Sequence, residues 1–382
     1  MGTYSTFKIG EFLLDDSGNF NTIRNHQIFR SADCIPLKRE YGEGGYVDSY
    51  QAPLRALVTR LELLGHTLPS IKHRFSNPFT GYDEPHDISF DEAVGLVRSY
   101  DLASVKAHLP ESGMFPLAFQ ERLKRPDFYP GIKLGPDWDL TALVERLDPY
   151  DTLRLLAENP RNLEHMVIWD FMEVVDAGYF ERSDFTVGAR PEHILVTEGT
   201  SDTEIIRHAF SILRPEIADF FAYIDMEKNY PFGGHGNLVN FMKGLHKLGR
   251  HQGVIAVFDN DAAGVGALRK LATFPEVTAV KLPDLPEFED FLTIGPGGEV
   301  RTDINGRAAA IECYLKLPSN CRVRWTNFEA SADTYHGVID QLDSEKDRQR
   351  KDFLKLSGEE DYPFGKIHKV LDVIVEACVT RR

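Results

Sequence analysis

Apolar residues recur along the chain with two different periods, and the change between them divides it. Leu54, Leu57, Val58, Leu61 and Leu64 fall on one stripe at helical spacing, which predicts a helix over residues 50–64. Before it, TYSTFKIGEFLL alternates partly and runs into the turn DDSGN, the pattern of short strands. After it, the Pro/Gly/His-rich stretch SNPFTGYDEPHD interrupts the periodicity. DTLRLLAENPRNLEHMVIWDFMEVVDAG, residues 151–178, reads as a further helix broken at Pro160, whose ring removes a backbone donor. Residues 1–188 are therefore expected to form short strands followed by a mainly helical region.

From residue 193 short apolar runs alternate with amphipathic ones. HILVTEG, FFAYIDM, VIAVFDND and VTAVKLP read as buried strands. TEIIRHAFSIL, NLVNFMKGLHKL and AGVGALRKLA read as the helices between them, with Leu238, Phe241, Leu245 and Leu248 on one face of the second and Gly249 as its cap. This alternation predicts a four-stranded parallel sheet with helices on both faces over residues 189–300, an α/β domain. Residues 301–382 read as a third, mainly helical α+β segment. NGRAAAIECYLKL, DSEKDRQRKDFLKL and KIHKVLDVIVEAC are its helices, and CRVRWTNF its strand.

Parallel sheets place their sites at the carboxyl ends of the strands. Glu198 ends the first strand; Asp259 and Asp261 end the third. Side chains two apart on an extended segment face the same way, and neighbouring strands lie ~4.8 Å apart. Three carboxylates can therefore meet at one point, where they repel one another until a cation sits among them. Mg²⁺, or Mn²⁺, suits such oxygen ligands and leaves room for substrate phosphates. Residue by residue, plainer roles compete: Asp261 precedes a helix and has the place of its N-cap, and Ser201–Glu204 matches a capping box. For the phosphodiester backbone, Lys243, Lys247 and Arg250 share a helix face. The glycine-rich turn FGGHGN, with His235, leads into a helix N-terminus that favours anions.

Composition modifies this picture little. No apolar run approaches the ~20 residues that span a bilayer. The N-terminus lacks a basic-then-apolar leader, and the four cysteines form no zinc spacing. A reduced, cytoplasmic protein without a membrane partner is the expectation. The net charge of −16 counts against a broad polyanion-binding surface, so any nucleic-acid contact must be local.

ILVTEGTSD and VIAVFDNDAAG resemble the two motifs of the Toprim fold, Glu-Gly after one strand and Asp-x-Asp after another; LPDLPEFEDFL resembles the acidic stretch that closes the domain in primases. The resemblance implies a general acid/base role for Glu198 and metal-binding roles for Asp259 and Asp261. Asp202, in Glu-Gly-x-x-Asp, is similar to an additional metal ligand of OLD-type nucleases. RALVTRLELLGHTLPSIKHRF before the domain, and TIGPGG and DINGRAAAIECYL after it, are similar to bacterial HEPN/Toprim-associated proteins of anti-phage defence. Arg60 and His66 match the Arg-x4–6-His spacing of nucleolytic HEPN domains and mark a second candidate site. The expected function is metal-dependent cleavage of DNA or RNA. A primase-like nucleotidyl transferase and a non-catalytic interaction protein are the alternatives. No GxxxxGK[ST] loop is present, so an ATPase or other partner protein is expected to supply one, and homo-oligomerisation stays open.

Overall fold

A computed structural model describes residues 3–22, 24–38, 46–76, 89–99, 101–104, 148–188, 191–228, 234–330, 332–340, 343–358 and 360–380. The chain divides into two compact units, Met1–Ala189 and Arg190–Arg382.

The first unit is built on strands β1 (Tyr4–Ile9), β2 (Phe12–Gly18), β3 (Cys34–Lys38), β4 (Tyr46–Pro53) and β5 (Met166–Asp170), in the order β2-β1-β5-β4-β3. Every pairing is antiparallel. Helices α1 (Leu54–Leu63), α2 (Leu68–Ser76), α3 (Phe90–Ser99), α4 (Pro149–Leu156) and α5 (Met172–Asp176) belong to the same unit. Strands β1 to β4 lie in the early part of the chain, where short strands are expected; β5 lies where helix is expected. MVIWD lies inside the stretch read as one broken helix, yet it is the central strand. Thr6 pairs with Asp170 on one side and Ser49 with Asp170 on the other. The helix does stop early: Pro160 opens a separate 3-10 turn at Pro160–Asn162. Beyond it, Val167 and Trp169 alternate inward, and β-branched and aromatic residues suit a pleated surface. Trp169 is wholly buried among Phe29, Tyr50, Phe171 and Phe185, and its indole N–H donates to Ser5 Oγ at 3.0 Å. The helix expected over 50–64 begins only at Leu54, because Tyr46–Pro53 is strand; Leu54, Leu57 and Leu61 are buried as the stripe requires. Most of the SNPFTGYDEPHD break lies outside the described residues.

The second unit contains the expected parallel sheet. Strands β6 (His193–Thr197), β7 (Phe221–Asp225), β8 (Val254–Phe258) and β10 (Thr278–Lys281) stand in the order β10-β8-β6-β7, all parallel. Helices α6 (Thr200–Leu213), α7 (His235–Lys247) and α8 (Ala262–Leu271) connect them. All five residues of β8 are buried, as both faces of a central parallel strand must be. Val254, Ala256 and Phe258 join a core with Leu238, Val239 and Met242 of α7 and Ala267 and Leu271 of α8. Helix α10 (Gly365–Thr380) packs with α6 and against β8 and β10. Gly249, at φ +65°, closes α7, and the Arg250 N–H returns to the Leu245 carbonyl at 2.9 Å. Leu248, read as part of the apolar stripe, is exposed instead; the buried face is Leu238, Val239 and Met242.

Residues 301–382 fall within the compact unit Arg190–Arg382. A second sheet, ordered β12-β11-β14-β15, is formed by β11 (Phe291–Gly295), β12 (Gly298–Thr302), β14 (Val323–Glu329) and β15 (Thr334–Ile339). Only β14 was legible as a strand. The helix expected over NGRAAAIECYLKL is absent. Ala308–Ala309 forms β13, paired antiparallel with β9 (Asn260–Asp261), and Ile311–Tyr314 is a 3-10 turn. The cause is tertiary: the Ile311 N–H is drawn to the Asp259 carboxylate at 2.9 Å, and Ala308 packs where Gly337 leaves room for it. The charged helix α9 (Asp343–Phe353) and α10 form as expected.

Candidate acidic site at the sheet edge

The carboxyl ends of β6, β7 and β8 converge because the sheet is in register. Thr197 lies beside Asp225 on one side and Val257 on the other. Glu198 therefore leaves β6 between the ends of β7 and β8, and Asp259 follows β8 on the adjoining strand.

Glu198 lies in a strongly perturbing environment. Its carboxylate accepts the backbone N–H of His235, the first residue of α7. Its Oε1 is buried with no hydrogen-bond partner among the described residues. Burial, and then the charges of Asp202 and Asp261, push it up to about 8. Asp202 sits in the first turn of α6, where its Oδ2 accepts the Gly199 N–H at 3.0 Å. That cap belongs to Gly199 and Asp202, not to the Ser201–Glu204 box of the sequence; Glu204 instead pairs with Lys228 and Arg350, each at 3.0 Å. Burial and Glu312 push Asp202 up to about 7. Asp259 is held well above the ordinary carboxylate range by burial, with Asp202, Asp261 and Glu198 adding to it. Its Oδ1 accepts from Ile311. Gly264 is what lets α8 start so close: a Cβ there would lie 2.1 Å from the Asp259 carbonyl oxygen.

Asp261 is satisfied on both oxygens. Oδ1 caps α8 through the Gly264 N–H at 2.7 Å, and Oδ2 meets His336 Nε2 at 3.1 Å. Asn260, between the two aspartates, is fully buried. It accepts from Lys281 Nζ and the Gly306 N–H, and donates to the Pro283 carbonyl. We expect Asp261→Ala to lower stability by about 1 kcal/mol in a urea melt, the usual worth of an N-cap. A stabilised variant would mean that carboxylate repulsion outweighs the cap.

Among the described residues, no three Asp, Glu, His or Cys side chains already converge as a metal-binding group. The donors that surround the edge are nevertheless hard oxygens, crowded and partly unsatisfied, which is the chemistry a divalent cation neutralises. Three contributors escaped the sequence reading: Asp225, which closes its own turn by accepting from Glu227 and Lys228; Glu312, within the stretch misread as helix; and His336, on the unpredicted β15. Nothing local marks the last two: Glu312 lies in a 3-10 turn and His336 reaches Asp261 through its side chain, across 75 residues of sequence.

The basic residues lie on α7 and its cap. Lys243 Nζ rests 5.4 Å over the Phe274 ring, while Lys247 and Arg250 are exposed. His235 reaches the site through its backbone. Phe232 and Gly233 of the glycine-rich turn lie outside the described residues.

The Arg60 and His66 of the second candidate site are placed differently from each other. Arg60 is 2% exposed on α1 and donates to the carbonyls of Gln27 and Phe29. His66 lies past the helix end, after Gly65 at φ +93°. Its Nδ1 meets Asp151 Oδ1 at 2.6 Å, and Arg74 Nε donates to Asp151 Oδ2 at 2.7 Å. Burial opposes the charge of Asp151, but the His66 and Arg74 hydrogen bonds outweigh it and hold the carboxyl below its usual range.

Among the described residues no helix is long and apolar enough to cross a membrane. A family model described as HEPN/Toprim N-terminal domain 1 matches residues 1–193. No curated protein and no solved structure matches the chain.

Proposed function

The chain belongs to the HEPN/Toprim N-terminal domain 1 family, and from that premise we propose that its second unit is a Toprim-type nuclease that cleaves DNA or RNA phosphodiesters with Mg²⁺ or Mn²⁺, as a defence effector. The observation that carries this reading is Glu198. A carboxylate at the end of a parallel strand, with a buried oxygen lacking a partner and two further carboxylates raising its pKa, is costly as an anion, so it keeps a proton until a cation replaces it.

Glu198 and Asp259 are the residues that would hold the ion, with Asp202 beside them and Asp261 joining if His336 gives way. A bound divalent ion supplies charge to the scissile phosphate and lowers the pKa of a bound water. Without a metal, Glu198 is held well above the ordinary carboxylate range, which suits it to hold a proton there and to give it up when a cation arrives. The His235 N–H keeps its carboxylate turned toward the edge, and the positive end of the α7 dipole adds to the field an incoming phosphate meets.

Incubation of the purified chain with single- and double-stranded DNA and RNA tests this. Mg²⁺, Mn²⁺ and EDTA are compared, with and without nucleotide triphosphates. Metal-dependent cleavage supports the reading; polymer synthesis, or no reaction in any arm, would replace it. For the backbone contacts we expect the triple change of Lys243, Lys247 and Arg250 to Ala to weaken binding and flatten its salt dependence. Each lost contact lowers the log–log slope by about 0.7–0.9. Lys247 and Arg250, being exposed, should account for most of the change. An unaltered slope would leave these side chains as solvated surface.

A further inference from the structure

We propose that the pocket on the second sheet, between the β11–β12 hairpin and β14–β15, is a nucleobase-stacking platform that delivers single-stranded nucleic acid to the acidic edge. This deepens the nuclease reading and rests on it for what happens after binding.

Pro296, Val300, Thr302, Arg307, Trp325 and Tyr335 line a pocket of about 310 Å³. Such a volume admits a base with its sugar rather than a large ligand. Four large hydrophobic residues of this unit are exposed among those described, and three of them, Val300, Phe328 and Tyr335, stand on this sheet. Phe328 and Tyr335 face each other edge-on, with centroids 5.4 Å apart, and continue the aromatic surface beyond the pocket. Solvent-exposed aromatics gathered on one sheet are a costly arrangement for a protein with a sizeable core elsewhere, and bases stack on such surfaces whatever their sequence.

Arg307 decides the charge of the ligand. Its guanidinium lies 4.9 Å from the Trp325 ring centroid, held by Thr334 Oγ1 at 2.9 Å and the Asp303 carbonyl. Arg301, Arg322 and Arg324 on the same sheet are each paired with a carboxylate. Among the described residues Arg307 has no carboxylate partner, so its charge is left for something that arrives. In a chain of net charge −16, one uncompensated guanidinium stacked on an indole selects a flat, anionic ligand over a cationic or purely apolar one.

The pocket also joins the acidic edge directly. Arg307 forms a backbone bridge with Asp261, Ala308 pairs with it, and His336, next to Tyr335, bonds its carboxylate. Arg307, which lines the pocket, is thus joined through one backbone bridge to Asp261 of the acidic edge. Connection to a polymer-cutting site favours a strand over a free nucleotide.

Binding is measured in EDTA, so that cleavage plays no part, by anisotropy of a short fluorescent single-stranded oligonucleotide. Unlabelled duplex and a nucleoside monophosphate serve as competitors. Trp325→Leu should weaken binding about 5- to 150-fold, the range for one lost stacking contact. Tyr335→Leu, at an exposed position, should weaken it less and leave melting unchanged. Arg307→Gln should both weaken binding and lower the salt slope by about 0.7, one single-strand phosphate. Wild-type affinity in all three variants would overturn the proposal. So would a monophosphate that competes as well as the strand, which would make the pocket a free-nucleotide site. Trp325-dependent binding without cleavage in Mg²⁺ would sustain the platform and remove the nuclease reading, whereas cleavage with wild-type binding in the variants would do the reverse.

Discussion

Glu198→Gln and Asp259→Ala should each reduce metal-dependent cleavage by about 100- to 1,000-fold or more, the scale of losing a charge aimed at the reacting centre. Gln keeps the shape of Glu but can neither exchange a proton nor offer full charge. The stability of the metal-free protein gives an independent readout. The pKa of Glu198 is raised from 4.5 to about 8 on folding. A raised carboxylate contributes its full stability below the unfolded value and loses it as pH climbs through the folded one. The wild type in EDTA should therefore weaken between pH 5 and 8, by about 1.4 kcal/mol per pH unit for each such group. Glu198→Gln removes one group's share and flattens the profile. Millimolar Mg²⁺ should raise the wild-type melting temperature and release protons at neutral pH, because ligands must deprotonate to bind. Neither effect should survive in Asp259→Ala. A cleavage assay beside melting curves across this pH range checks both sides. If the wild type is indifferent to Mg²⁺ and both variants match its activity, the proposed site is not there.

Gly264→Ala should be severely destabilising, although helix propensity predicts a gain of up to about 1 kcal/mol for Ala over Gly. The added Cβ would stand 2.1 Å from the Asp259 carbonyl oxygen and 3.2 Å from Phe258 Cβ, against backbone that cannot rotate away. The first turn of α8 must then move off β8, losing the Gly264-to-Asp261 cap and displacing Asp259 itself. We expect a loss of at least about 3 kcal/mol, near 10 °C in melting temperature for a unit of this size. Cleavage should fall with it even where the protein still folds. Gly244→Ala on α7 is the control, since nothing lies within 4 Å of its added Cβ; it should be neutral or mildly stabilising. Equal effects at the two glycines, read by calorimetry, would show that the close approach at Asp259 relaxes easily.

The strand–helix alternation between His193 and Lys281 was legible in the chain because β6, β7 and β8 are each followed in sequence by a helix. Period, burial and turn chemistry all act within about thirty residues, so HILVT, FAYID and VIAVF declare themselves as strands and Gly249 as a cap. The same locality places Glu198 and Asp259 at strand ends. Only the folded chain decides what those ends meet. MVIWD looked helical beside its neighbours and became a central strand because Thr6 and Ser49, over a hundred residues away, supply its partners. AAIECY lost its helix to an antiparallel pairing with Asn260–Asp261 and to the Asp259 carboxylate. Asp261 taken alone reads as a helix cap and, within the acidic pattern, as a ligand; the Gly264 N–H and His336 take both its oxygens. Arg307 reaches the edge through a backbone bridge with Asp261 and His336 through its side chain, and no periodicity within one strand can encode which distant partner that will be.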